Sequence, residues 1–277
     1  MEKLIKIKRA LISVSDKTGI VELAKELCGR NIELVSTGGS ASILRGAGFK
    51  VTEVSKLTGF PEMMDGRLKT LHPNVHGGLL ADRDEKSHVN AMEKYNVKEI
   101  DLLVVNLYPF AETVRAGADY AQCIENIDIG GPAMIRAAAK NFKYVATLVD
   151  IEDYEGLVNE LKMNNGCTSY SFRQKLSQNA FSLSAYYDAM VSNWMLDNIT
   201  GVKPRRFSIS AALSQDLRYG ENPHQSASFF LDEYLQGGIG ASNQIQGKKL
   251  SYNNINDLSL IHISEPTRQE AISYAVF

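Results

Sequence analysis

Apolar runs of strand length alternate with helix-spaced apolar positions from the N-terminus to Asp150. "IKRALISV" (Ile7–Val14) predicts a buried strand, because a short apolar run suits a strand covered on both faces. Ser15 or Asp16 is then expected to cap a helix carrying Ile20, Leu23, Ala24 and Leu27 at helical spacing, closed by Gly29. "IELVS" predicts a second strand, followed by Thr37-Gly38-Gly39-Ser40 and a short helix through Leu44. "KVTEVS", the run Leu102–Val105 and "YVATLVD" predict three more. Strands separated by helical segments need crossovers, so the expected class is α/β, with a parallel sheet and helices on both faces. Ligands of such sheets sit at the carboxyl ends of the strands.

After Asp150 the pattern changes. Phe172, Leu176, Ala180, Leu183, Tyr187, Met190 and Trp194 recur every three or four positions, which predicts one long helix from Thr168 to Leu196. Its apolar stripe reads as core or dimer interface. "NITGVKPRRFS" (Asn198–Ser208) supplies Gly, Pro and a solvated basic pair, the expected linker. The predicted organisation is therefore a first domain over residues 1–200 and the start of a second, incomplete α/β domain over 201–257. Residues 258–277 are set apart for a reason given below.

Composition narrows the function. The 277 residues carry 30 basic and 32 acidic side chains, a formal net charge of -2, so no global field recruits nucleic acid or an anionic membrane. A bound anion must be held by a local cluster. Cys28, Cys123 and Cys167 are odd in number and far apart, as suits free thiols in a reducing compartment. No run of eighteen apolar residues occurs, and the N-terminus lacks a signal-peptide pattern. A cytoplasmic protein is expected, with no nucleic acid and no membrane among its partners.

Two hydroxyl-rich turns fall where a predicted strand meets its helix: Ser13, Ser15 and Lys17 after the first, and Ser36, Thr37, Gly38 and Gly39 after the second. Helix N-termini offer unpaired N–H groups and a positive dipole end, although simple capping explains either turn taken alone. "DGRLKTLHP" (Asp65–Pro73) adds Arg67, Lys69 and Thr70 in a segment that Gly66 and Pro73 keep from being an ordinary helix. Guanidinium and ammonium groups beside two helix N-termini suit a phosphomonoester. Tyr108 follows an apolar strand and should stand at its carboxyl edge. Asp128 precedes Gly130 and Gly131, and Arg136 and Lys140 share one face of the helix after them. Capping is the plainer reading of Asp128, and a solvated helix end that of Lys140. A continuous helix separates the two by about 18 Å along its axis. His72 and His76 lack a third ligand in a recognisable spacing, so no metal is expected, and hydrogen bonding near the phosphate is the favoured role.

Taken together, "SVSDKTG", "STGGSA", "LTGFPEMMDGRLKTLHPNVHGG", "NLYPF" and "IDIGGPAMIRAAAKN" closely resemble, in order and spacing, the bifunctional IMP cyclohydrolase/AICAR transformylase family. The "STGG" theme alone is shared with methylglyoxal synthase and with the regulatory domain of carbamoyl phosphate synthetase, and implies a methylglyoxal-synthase-like sheet. The resemblance implies that the first domain closes 5-formamido-imidazole-carboxamide ribotide (FAICAR) to IMP and water, without metal or organic cofactor, and that the intact family protein is a homodimer. Lys69, Tyr108, Asp128 and Lys140 are the expected catalytic residues. Asp128 would accept the proton of the attacking nitrogen, N–H groups of the glycine pair would hold the oxyanion, and Tyr108 and Lys140 would donate protons or stabilise charge. Ser13, Ser15, Lys17, Ser36, Thr37, Gly38, Gly39, Arg67, Thr70, Gly130 and Gly131 would bind substrate. A phosphate-sensing module of the same fold is the alternative, disfavoured because sensing needs no carboxylate aimed at the base.

"LRYGENPHQSASFF" and "GKKLSYNNIND" resemble the start of the family's transformylase half, in which Arg218 and Tyr219 match positions that hold AICAR. That half uses 10-formyltetrahydrofolate as co-substrate and carries its catalytic lysine–histidine pair further along than this sequence reaches. Formyl transfer by these 277 residues is accordingly not expected. The last stretch, "LSLIHISEPTRQEAISYAVF", resembles a translated sequencing adapter and is expected to contribute nothing to the fold.

Overall fold

A computed structural model describes residues 4–201, 203–206, 208–231 and 242–264. Two compact units divide the chain: residues 1–110 with 121–185, and residues 111–120 with 186–277.

The first unit opens with β1 (Ile5–Lys6) and β2 (Arg9–Ser13), then α1 (Ile20–Cys28), β3 (Glu33–Ser36), α2 (Gly38–Gly46), β4 (Val51–Glu53) and α3 (Val54–Thr58). After a 3-10 turn at Met64–Gly66 come α4 (Pro73–Leu80), α5 (Lys86–Lys94) and β5 (Leu102–Val105). The helices α6 (Phe110–Arg115), α7 (Tyr120–Glu125) and α8 (Gly130–Lys140) precede β6 (Ala146–Leu148), α9 (Asp153–Met163), β7 (Cys167–Thr168) and α10 (Tyr170–Asp197).

Five strands form one parallel sheet in the order β4-β3-β2-β5-β6. The chain winds outward from β2 to β4, then returns across β2 to β5 and β6. The order therefore reverses beside β2, where a crevice opens at the carboxyl ends of the strands. Both faces are buried, which is why β2 and β5 read as continuous apolar runs. Ala10, Ile12, Leu102 and Val104 pack with Ile20, Leu23, Leu27, Leu157 and Leu161 of α1 and α9. Leu11, Leu103 and Val105 pack on the other face with Val75, Leu79, Met134 and Ile135 of α4 and α8. Burying such a side chain contributes about 1.5–3 kcal/mol, which favours covering both faces of the sheet with helices.

The five-stranded parallel sheet agrees with the expected class. Sequence patterning missed the short strands β1 and β7, which pair antiparallel with Ile5 opposite Thr168. It also missed α9, although Tyr154, Leu157, Val158 and Leu161 recur there at helical spacing. The expected cap of α1 is corrected. This helix starts after Gly19 at φ 72° with no side-chain cap, and Asp16 Oδ1 instead accepts from the Thr18 amide (2.9 Å) and hydroxyl (2.7 Å).

In the second unit β8 (Ala212–Asp216) pairs antiparallel with β9 (Ser228–Leu231), and α11 (Tyr252–Ser264) follows. The units divide at Tyr186 rather than at the basic linker, and Ala111–Tyr120 goes with the later residues. Tyr120 stacks on Trp194 at a centroid distance of 5.1 Å, which ties that segment to the end of α10. The helix α11 carries the backbone past Asp257 to Ser264, into the stretch expected to lie outside the fold. Pro266 and the rest of the adapter-like sequence lie outside the described residues.

Candidate active site

The carboxyl ends of β2, β3 and β5 and the N-termini of α2 and α8 enclose a cavity of about 820 Å³. Its size suits a nucleotide-sized molecule. The turn after β2 contributes Ser13, Ser15 and Lys17, and the N-terminus of α2 contributes Thr37 and Gly39. From the Asp65–Pro73 segment come Arg67, Lys69 and Thr70. Tyr108, Asp128, Gly130 and Gly131 complete the opposite wall. Five separate sequence motifs thus meet at the reversal of strand order.

At the expected anion corner the Thr37 hydroxyl does not cap α2, and its Oγ1 stands 3.0 Å from Ser13 Oγ across the strand ends. Lys17 Nζ donates to the Ser15 carbonyl at 2.8 Å. Gly38 has φ 34°, and a Cβ there would come within 2.5 Å of Lys69 Nζ. A side chain at that position would displace the Lys69 ammonium from the helix N-terminus, and the positive φ itself favours glycine. Likewise a Cβ at Gly130 would meet Thr70 Oγ1 at 2.8 Å. Arg67 pairs with Glu125, and Lys69 with Glu62 at 2.5 Å.

Asp128 stands on the opposite wall. Its Oδ1 accepts from the Gly131 amide at 2.8 Å, and the backbone N–H groups of Tyr108 and Gly130 also bond its carboxylate. Burial nevertheless pushes its pKa above the ordinary carboxylate value, outweighing these three donors. Tyr108 is half-exposed, and burial, then the charge of Asp128, pushes its phenol up. The phenol therefore keeps its proton at neutral pH beside a carboxylate of raised basicity.

Several expectations need correction. Ser36 is fully buried, and its hydroxyl donates to the Ile12 carbonyl at 2.7 Å, inside the sheet rather than into the cavity. Lys140 is exposed at the far end of the unbroken helix α8, about 15 Å along the axis from Gly130, and does not line the cavity. The glycine-pair N–H groups assigned to an oxyanion are engaged by Asp128 itself. His72 and His76 do not line the cavity either. His72 Nδ1 accepts from the Asn74 amide and so caps α4. Among the described residues no group of three His, Cys, Asp or Glu is placed to hold a metal ion, and no helix is long and apolar enough to cross a membrane. In the second unit Arg218 and Tyr219 bring their two motifs together. The Arg218 amide donates to the Leu250 carbonyl (3.2 Å), its guanidinium to Asn254 Oδ1 (3.1 Å), and the Tyr252 amide to the Tyr219 carbonyl (3.2 Å).

Asn106 was overlooked. Its Oδ1 accepts from the Ser15 amide (2.6 Å) and the Asp16 amide (3.0 Å), and its Nδ2 donates to the Asp16 carbonyl (2.9 Å). One side chain thus clamps the turn after β2 from the end of β5. The only available signal was a polar residue directly after a four-residue apolar strand.

Comparison with known proteins gives the family. A family model described as "MGS-like domain" matches residues 19–133, and one described as "AICARFT/IMPCHase bienzyme" matches residues 138–265. The bifunctional purine biosynthesis protein PurH of Dinoroseobacter shibae is 61% identical over 257 residues, covering 93% of this chain and 49% of its own. The chain belongs to the PurH family. PurH of Ruegeria pomeroyi is 58% identical over the same shares. The crystal structure of ForH superposes with a TM-score of 0.60 at 36% identity, covering 68% of this chain and 98% of that one. The chain spans about half the length of the curated PurH relatives it matches.

Proposed function

We propose that the cavity is the IMP cyclohydrolase site of a PurH-type enzyme, closing FAICAR to IMP with release of water. The observation that carries the reading is Asp128, a carboxylate made more basic by burial, beside a protonated Tyr108 and across one cavity from a corner of hydroxyls and cations. Ser13, Ser15, Lys17, Thr37, Gly39, Arg67 and Thr70 would hold the ribotide phosphate, and Gly38 keeps that corner open. In ring closure the carboxamide nitrogen bonds to the formyl carbon. Asp128 accepts the nitrogen's proton and the formyl oxygen becomes a hydroxyl; that hydroxyl is protonated and leaves as water while the former formamide nitrogen gives up its own proton and forms the ring C=N bond. With the glycine N–H groups engaged, Tyr108 is the donor available to the developing oxyanion, and Lys69 stands with the phosphate corner. Positioning supplies much of the acceleration, because the attack is intramolecular. Lys140 takes no part in the step as written.

Residues 1–200 would form the cyclohydrolase domain and 201–257 part of the transformylase domain, where Arg218 and Tyr219 would contact AICAR and 10-formyltetrahydrofolate would be the co-substrate. A homodimer is the proposed assembly and the cytoplasm the proposed compartment. Following absorbance as FAICAR is added to purified protein tests the reading. Formation of IMP at enzymatic rates is expected, and binding of FAICAR without turnover would favour a sensing module instead.

A further inference from the structure

An anion pocket is an unusual place for acidic side chains, yet Glu62 and Glu125 both line the cavity. Each is paired with one of its cations, Glu62 Oε1 with Lys69 Nζ at 2.5 Å and Glu125 with Arg67. The Lys69 ammonium also lies against Gly38 at the N-terminus of α2, where a helix dipole repels a cation. Glu62 therefore stands where a bound anion would do the same electrostatic work. The turn that brings it there is built for the purpose. Gly66 has φ 90°, a conformation that favours glycine, the Lys69 amide donates to the Gly66 carbonyl at 3.2 Å, and Glu62 Oε2 lies 3.8 Å from where a Cβ on Gly66 would be. The side chains of Arg67 and Glu125 are 67% and 63% exposed, so their pair opens at little cost to the fold.

We propose that Glu62 and Glu125 are counter-ions that set the pocket's occupancy threshold: they weaken every phosphate ligand alike, so that at low concentration only one with further contacts, a whole nucleotide, fills the pocket. An arriving phosphate must displace both carboxylates from their cations. Inorganic phosphate or ribose 5-phosphate has only the anion corner to offset that loss. A nucleotide also gains the wall formed by Tyr108, Asp128 and the glycine pair, and so binds in spite of the competition. The proposal rests on the nucleotide reading of the site for its biological sense, but its electrostatics can be read without any turnover.

The experiment measures, by calorimetry at low and at physiological salt, the affinity of the 277-residue chain and its Glu62→Gln, Glu125→Gln and double variants. The ligands are inorganic phosphate, ribose 5-phosphate and IMP. Removing one like charge from the pocket should tighten phosphate and ribose 5-phosphate by roughly three- to tenfold per carboxylate at low salt, and by less as screening grows. IMP should tighten by a similar factor, because its phosphate displaces the same two carboxylates. Unchanged or weaker phosphate binding in folded variants, judged by an unaltered circular dichroism spectrum and melting temperature, would overturn the proposal. So would an unchanged IMP affinity while the two small phosphates tighten, because the carboxylates would then not compete with the nucleotide's phosphate. A parallel FAICAR assay on the unmodified chain keeps failure of the cyclohydrolase reading separate from failure of this one.

Discussion

Replacing Asp128 by asparagine separates a base from a cap, because the structure gives this carboxylate both positions at once. The substitution keeps the volume and the Oδ1 that accepts from the Gly131 amide at 2.8 Å. It turns the other oxygen into an amide donor among backbone N–H groups that bond the carboxylate. Losing charge-assisted bonds costs about 1.5–3 kcal/mol each when nothing offsets it. Here there is an offset. Burial already outweighs those donors and raises the pKa, so the pocket disfavours the charge that asparagine removes. The two effects oppose, and the net stability change should stay within about 1 kcal/mol, or roughly 2–4 °C in melting temperature for a chain of this size. Turnover should respond very differently, dropping by about 10²–10⁴, the usual worth of a general base. The sign of the pH dependence follows from the raised pKa. As pH falls through the folded value, the folded state takes up its proton before the unfolded state does, so this group's contribution to stability rises. Over the same range kcat/KM falls. Both trends should be missing in the variant, and both can be followed by FAICAR absorbance and thermal melts across pH. Wild-type turnover in a folded Asp128→Asn protein would refute the catalytic assignment and leave Asp128 as a cap.

Arg67→Ala should weaken IMP binding about tenfold, less than a buried arginine would, because the side chain is largely exposed and already paired with Glu125; calorimetry showing unchanged affinity would remove it from the site. Gly131→Ala should lower both activity and melting temperature, since its Cβ would lie 2.6 Å from Asp128 Oδ2 and from Leu107 Cδ2, and strain of this kind costs about 1–3 kcal/mol. Asn106→Ala should raise KM for FAICAR about tenfold with a smaller change in kcat, because it frees the Ser15–Asp16 turn without touching Asp128; a pure kcat effect would contradict the clamp.

The sheet was legible in the sequence because β2, β3 and β5 are covered on both faces and therefore carry unbroken apolar runs. The site was legible to the extent that its residues cluster at strand ends. Thr37, Lys69, Tyr108 and Asp128 do meet, although up to 91 positions separate the first from the last in the chain. Side-chain direction was not legible. Ser36 and Thr37 are adjacent hydroxyls, yet successive positions at the end of an extended strand point opposite ways, and only Thr37 faces the cavity. Lys140 was placed by motif membership, which ignores that a straight helix carries its last residue far from its first. Asn106 and Glu125 act through partners distant in sequence, which no local pattern marks, and Glu62 meets Lys69 only because the intervening turn at Gly66 folds back.

The short clasp between β1 and β7 also sets an order of events during synthesis. Every residue that lines the cavity, from Ser13 to Met134, is made before Thr168, the partner of Ile5. At about 5–20 residues per second, the 34 residues from 134 to 168 take the ribosome roughly 2–7 s. During that interval the parallel strands β2, β3 and β5 are complete, while the chain's N-terminal end has no partner strand. The pocket can therefore assemble around an open N-terminus, and the antiparallel clasp closes as a separate, later step. Slow codons placed between Met134 and Thr168 would lengthen the unclasped phase, during which residues 5–7 present an unpaired edge to other nascent chains.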